Sequence, residues 1–210
     1  MNLSGMRAIV RRDLHDENPA DYRWTDDELD RHVSRALREY SGALPLEDTA
    51  DFATTPGGRE IDISTLSDRV MVEAVEYPIG HYPPAYHRFA LWADTLTILS
   101  DVAPDGSEAR IYYGKLHTLT DQGSTIAAQH EDLVAAGAAA YAMLEWASYA
   151  VNRVNVGGAG TPGQYEEQGG RSLASFQKEL KRLGRANKVR ARQLYPPATT
   201  PVSRAGDCGP

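Results

Sequence analysis

The sequence predicts a mainly α fold: a helical bundle with an inserted antiparallel β sandwich or barrel domain and an extended C-terminal tail. Three observations predict it. In the stretch 129–155, Leu133, Gly137, Ala140, Leu144, Ala147, Val151 and Val154 recur at alternating steps of four and three, the seam of a helix packed against other helices. Helical patterns stand before residue 46 and after residue 118, whereas the stretch between them has the short alternating runs and turn residues of antiparallel strands. From Leu194 to Pro210 there are four prolines, Gly206 and Gly209, and almost no apolar side chains. The chain therefore divides into N-terminal bundle helices (1–45), a β insertion (46–118), C-terminal bundle helices (119–193) and a tail (194–210).

Taken in order, Leu3, Met6, Val10 and Leu14 line one face of a short helix that Asn18 and Pro19 keep from continuing. The next helix has a stronger start. Thr25-Asp26-Asp27-Glu28 is a capping box, in which the Thr25 hydroxyl and the Glu28 carboxylate each satisfy an orphan backbone amide. Trp24 before the cap and Leu29 at the fourth helical position form a hydrophobic staple, and the acids of the first turn favour the positive end of the helix dipole. Val33, Ala36, Leu37 and Tyr40 continue its apolar face, and Gly42 and Pro45 are expected to stop it.

Strands are expected at 60–63, 70–77, 88–92, 95–99 and 109–113, separated by Pro56-Gly57-Gly58, Pro83-Pro84 and Pro104-Asp105-Gly106. After the polar turn Asp121-Gln122-Gly123-Ser124 comes the long helix. A second stripe of Ala136, Met143, Trp146 and Ala150 widens its apolar face, so it should be buried on more than one side, with Gly137, Ala140 and Ala147 letting neighbours approach closely. Glu145 near its middle argues against a membrane span, since a carboxylate at mid-bilayer costs about 2.5–3.5 kcal/mol. The last helix should run from about Gln164 to Gln193, with Leu173, Phe176, Leu180 and Leu183 on the seam.

Composition narrows the class. Apolar residues make up 41% and charged residues 24% of the 210, the profile of a globular chain able to form a core. Cys208 is the only cysteine, which leaves no intrachain disulfide and fits a reducing compartment; the N-terminus has no secretory pattern, so the protein is expected to stay where it is made. The net charge of −7 hides an asymmetry. From Asp13 to Asp30 eight acids face Arg23 alone, and from Arg171 to Arg192 eight bases face Glu179 alone. Such opposite charges can pair within a monomer, pair between neighbours in a ring, or serve separate partners such as nucleic acid and an acidic protein surface.

Catalytic chemistry has no support in the sequence. The six histidines lack zinc-site spacing, and consecutive His130-Glu131-Asp132 point about 100° apart on a helix and cannot converge on one ion. The glycine-rich stretch 157–163 lacks a phosphate-binding Gly-Lys-Ser/Thr ending, no nucleophile elbow is present, and Cys208 has no base held against it. No enzyme activity, cofactor or metal is expected.

Met6-Arg7-Ala8-Ile9-Val10-Arg11-Arg12-Asp13-Leu14, followed by Trp24-Thr25-Asp26-Asp27-Glu28-Leu29 leading into Ala36-Leu37-Arg38-Glu39-Tyr40-Ser41, resembles the head-to-tail adaptor (connector) proteins of tailed bacteriophages. The block from Tyr77-Pro78 through Tyr82-Pro83-Pro84 to Leu91-Trp92-Ala93-Asp94-Thr95-Leu96-Thr97 looks like a β insertion from long-tailed phage structural genes. The resemblance implies a homo-oligomeric ring, commonly of twelve subunits, in the neck of the virion and made in the host cytoplasm. It would dock on the portal protein on one side and receive a stopper or tail-completion protein on the other, with genomic DNA passing through its lumen without sequence recognition.

The basic helix end Arg185, Lys188, Arg190 and Arg192, with the anchors Leu194, Tyr195, Pro196 and Pro197 after it, is the expected portal-binding segment, because prolines lower the entropy lost on docking. The competing reading is a nucleic-acid-binding module using the basic C-terminal helix, although only Phe176 and Tyr195 offer aromatic stacking there.

Overall fold

In a computed structural model the chain divides into two compact units, one formed by Met1–Pro45 with His117–Arg185, the other built on Leu46–Leu116. The structure describes residues 1–101, 103–150 and 161–194, with side chains through residue 188.

Among the described residues the first unit contains the α-helices α1 (Leu3–Asp13), α2 (Asp26–Ala43), α3 (Glu131–Ala150) and the greater part of α4 (Pro162–Leu194). The α2 cap forms as its sequence dictates. Thr25 Oγ1 accepts from the Glu28 amide at 3.3 Å, and Glu28 Oε2 accepts from the Thr25 amide at 2.7 Å. Trp24 and Leu29 are both buried in the core of this unit. The C-terminal stop differs from expectation, because Gly42 lies inside the helix and Leu44 is the cap. Pro45 disfavours the helical region for the residue before it, and Leu44 accordingly sits at φ −137°, ψ 80°.

Helix α3 is buried nearly all round: every residue from Val134 to Tyr141 except Ala136 is buried, with Ala142 and Met143 after them. Small side chains set this. A Cβ on Gly137 would stand 2.8 Å from the Phe176 ring of α4, and one on Gly169 of α4 would stand 3.0 Å from Leu144 and Met143 of α3. The expected seam residues Val151 and Val154 fall outside the described residues. No described helix is long and apolar enough to cross a membrane.

The second unit corrects the expected fold class. Of the sandwich and the barrel that the sequence left open it forms neither in full but one six-stranded antiparallel half-barrel, and with 24% of the chain in strands against 45% in helices the protein is not mainly α. The strands are β1 (Leu46–Ala53), β2 (Glu60–Asp62), β3 (Arg69–Glu76), β4 (Tyr86–Trp92), β5 (Thr95–Leu99) and β6 (Glu108–Lys115), in spatial order β1-β6-β3-β4-β5-β2. Its curl follows from that order. Consecutive strands β1 and β2 occupy opposite edges, which in a flat sheet stand about 24 Å apart at ~4.8 Å per strand. The short connector between them is folded into a turn, with the Gly58 amide bonded to the Thr55 carbonyl, so it cannot span a flat sheet at full extension. Curling closes the distance. The hollow holds Ile61, Ile63, Val75, Tyr77, Leu96, Ile98, Ala109 and Ile111, a core of its own, which a bundle with a small appendage would not need.

No strand is expected before Glu60, yet β1 pairs along its whole length with β6. Asp48 and Asp51 are paired across the ladder. Asp51 takes a two-pronged contact from Arg110 at 2.7 and 2.8 Å, and Asp48 takes Lys115 Nζ at 2.5 Å. A two-strand ribbon, β7 (Leu119–Thr120) with β8 (Gly123–Ser124), follows in the first unit at the predicted polar turn.

Where the chain leaves the first unit and returns to it, one histidine ties both ends. The His117 amide donates to Ser41 Oγ at 3.0 Å and its Nε2 stands 3.0 Å from the Leu44 carbonyl. Its Nδ1 lies 3.1 Å from the Thr125 hydroxyl. The same Nδ1 is 3.0 Å from the Thr125 carbonyl, and burial holds the His117 pKa below the usual histidine value against the pull of the Leu44 and Thr125 carbonyls.

Candidate functional site

The corner between α1 and α2 is organised around a buried guanidinium. Arg11 is on the core-facing side of α1, where no water can solvate it, so it is surrounded by acceptors. It donates to Asp16 Oδ2 at 2.8 Å, to Asp26 Oδ1 at 2.7 Å and to the Trp24 carbonyl at 3.0 Å. Asp16, equally buried, also accepts from the backbone amides of Arg23 at 2.7 Å and Trp24 at 3.3 Å. A charge pair buried at this depth is tolerated because Arg11 donates three hydrogen bonds and Asp16 accepts three. Arg7 adds a two-pronged contact to Asp30 at 2.6 and 2.8 Å, which locks α1 to α2.

This lock aims Arg23 and Trp24 into a cleft of about 840 Å³ at the end of the helices. Arg23 is stacked among rings, its guanidinium carbon 4.5 Å from the Trp146 centroid, 5.1 Å from Tyr165 and 5.6 Å from Trp24, and it donates to the Tyr165 hydroxyl. Trp146 and Tyr165 lie 4.7 Å apart, and Tyr149 stands at the opening, 64% exposed. A second depression of about 740 Å³ borders the cleft at Leu14, His15, Arg23 and Tyr165 and is lined along α4 by Gln164, Glu167, Gln168, Arg171 and Ser172. Asp21 lines the first and Asp13 the second, neither with a side-chain ion-pair partner among the described residues.

At the α2–α3 side, Glu145 binds Arg31 and closes to 2.6 Å from Nε2 of buried His32. That approach is out of line with the ring N–H, so His32 Nε2 has no hydrogen bond among the described residues. Burial lowers the His32 pKa, and Glu145 opposes the shift without reversing it.

In the second unit a separate pocket of about 500 Å³ gathers Tyr86, Tyr112 and Tyr113 with Glu47, Asp48 and Glu73. Glu73 is the residue at a register shift of β3 between Val72 and Ala74, and burial raises its pKa.

Of the residues expected to bind a partner, Arg185 and Lys188 are exposed on α4. Arg190, Arg192 and Leu194 belong to the helix, but their side chains lie outside the described residues, as do Tyr195, Pro196 and Pro197 altogether. The basic stretch is less free than its count suggests, since Arg171 pairs with Glu167 and Arg182 with Glu179 on the same helix. Thr25 and Glu28 form the cap, and Trp24 and Leu29 are both buried in the core of the first unit. The groove itself was legible only in part: Trp146 stood out in the apolar stripe of α3, but Arg11, Asp16 and Arg23 counted only as charges, and Tyr165 carried no signal. No group of three metal-ligating side chains gathers among the described residues. Compared with known proteins, the chain matches no family model and no curated protein.

Proposed function

We propose that the chain is a structural virion protein, the head-to-tail adaptor of a tailed bacteriophage, forming a ring that joins the portal to the stopper and tail proteins and lines the DNA exit channel. The observation that carries this reading is the order of elements around the capped corner. Two N-terminal helices joined through Trp24-Thr25-Asp26, a β unit, and then α3 and α4 packed at glycine contacts give the element order of the family that the sequence resembles. Exposed Arg185 and Lys188 on α4 meet acidic portal surface. The role is architectural, without catalysis.

A nucleic-acid-binding module remains the second reading, favoured by the exposed basic residues of α4 but weakened by the pairing of Arg171 and Arg182 with acids of their own helix. The two separate experimentally. Purified protein mixed with portal rings should give decorated rings by electron microscopy, and particles should carry its density between portal and tail. Absence from particles, together with DNA affinity that falls steeply with salt, would replace the adaptor reading by the second one.

A further inference from the structure

The groove of the first unit has the features of a receptor for a proline-bearing chain. Polyproline segments dock on grooves of closely set Trp and Tyr rings because their backbone is already extended and loses little entropy on binding. Trp146 and Tyr165 provide a pair of such rings 4.7 Å apart, with Trp24 beside Tyr165, Arg23 stacked against them and Tyr149 exposed at the opening. Asp21 lines the cleft and Asp13 the depression beside it, neither with an ion-pair partner among the described residues. The chain itself contains a matching ligand: Arg190-Ala191-Arg192-Gln193-Leu194-Tyr195-Pro196-Pro197-Ala198-Thr199-Thr200-Pro201, bases directly followed by an aromatic residue and prolines.

We propose that this groove receives residues 195–201 of a second copy of the chain, with Arg190 and Arg192 of that copy reaching the carboxylates of Asp13 and Asp21. The occupant cannot be the chain's own segment. Tyr165, in the groove, and Leu194, at the end of α4, are separated by about 43 Å of helix at ~1.5 Å per residue. Seven residues starting after Leu194 reach at most about 25 Å. A neighbour is therefore required, and the inference rests on the ring reading for bringing copies side by side. It assigns Tyr195, Pro196 and Pro197 to the adjacent subunit instead of the portal, and leaves Arg185 and Lys188 for portal contact.

The test uses the full-length chain with its own ligand disabled by Tyr195→Ala, Pro196→Ala and Pro197→Ala, titrated with a synthetic peptide of residues 188–203. Saturable binding is expected, with the indole N–H signals of Trp24 and Trp146 moving and that of Trp92, exposed on β4, staying in place. Adding Tyr149→Ala to the receptor, an exposed position that leaves the core intact, or Pro196→Ala with Pro197→Ala to the peptide, should each weaken binding about tenfold. Asp13→Asn with Asp21→Asn should flatten its salt dependence. The disabled chain should still decorate portal rings as the wild type does. Failure of the peptide to bind, equal binding by the Tyr149→Ala receptor, or loss of portal decoration by the disabled chain would overturn the assignment. Because the titration needs no ring and no portal, it fails independently of the adaptor reading, whose own test is the presence of the protein in particles.

Discussion

Gly137→Ala is the substitution whose outcome the helix packing fixes most tightly. On propensity alone it should stabilise α3, since glycine in a helix interior costs about 1 kcal/mol relative to alanine. Packing opposes this. The added methyl would stand 2.8 Å from Cε2 and Cζ of Phe176 and 3.0 Å from Cδ2, against the ~3.5–4.0 Å of an unstrained carbon contact. The ring has nowhere to retreat, being 2% exposed and packed among the core of the first unit. Overpacking of this kind costs about 1–3 kcal/mol, and a whole-ring clash falls in the upper part of that range, so a net loss of roughly 1–2 kcal/mol is expected. Urea denaturation followed by far-UV circular dichroism measures it. Gly170→Ala on α4, where a Cβ would meet nothing within 4 Å, is the control and should gain about 0.5–1 kcal/mol. Phe176→Leu should cost less in the Gly137→Ala background than alone, because the pair shares one space. If Gly137→Ala proves as stable as Gly170→Ala, the close approach of α3 and α4 is wrong.

Thr25→Ala should lower stability by about 1 kcal/mol through loss of the cap, and Trp24→Ala by about 3–5 kcal/mol, as a buried indole at the head of α2 is removed; equal melting temperatures for the two would refute the staple. Stability should fall as pH drops from 7.5 to 6, above the range where carboxylates begin to protonate. Burial holds His32 and His117 below the ordinary value of 6.5, so below that pH the unfolded chain binds protons that the folded chain does not, and folding is penalised until the folded pKa values are reached. His32→Gln with His117→Gln should flatten this dependence in denaturation curves at the two pH values, and an unchanged slope would mean that other groups titrate.

What could be read from the sequence depended on how local the determining interaction is. The α2 cap needs only four consecutive residues, so Thr25 and Glu28 announced it without any tertiary information. The burial of α3 was also legible, because its small residues make close packing the only use for that face. Strand β1 was not. Leu46-Glu47-Asp48-Thr49-Ala50-Asp51-Phe52-Ala53 carries three acids, which count against strand formation. The bases that make it a strand, Arg110 and Lys115, lie about sixty residues away. The choice between sandwich and barrel for the insert stayed open for the same reason, since strand order is a long-range property and short alternating runs are compatible with several. The stop of α2 was misplaced by taking Gly42 as the signal when Pro45 alone suffices. In the groove, Arg11 belongs to a run of Arg7, Arg11 and Arg12 that reads as a solvated face, and only the fold reveals which of them turns inward.

The contacts of His117 also bear on how such a chain could have been assembled. The point where the polypeptide departs after Leu44 and the point where it comes back at His117 meet on one imidazole ring, so the helical unit is already closed at that junction. About three residues would bridge the ends. The segment between them is thus a topological loop, which an ancestor could gain, lose or exchange in a single genetic event without rethreading any helix.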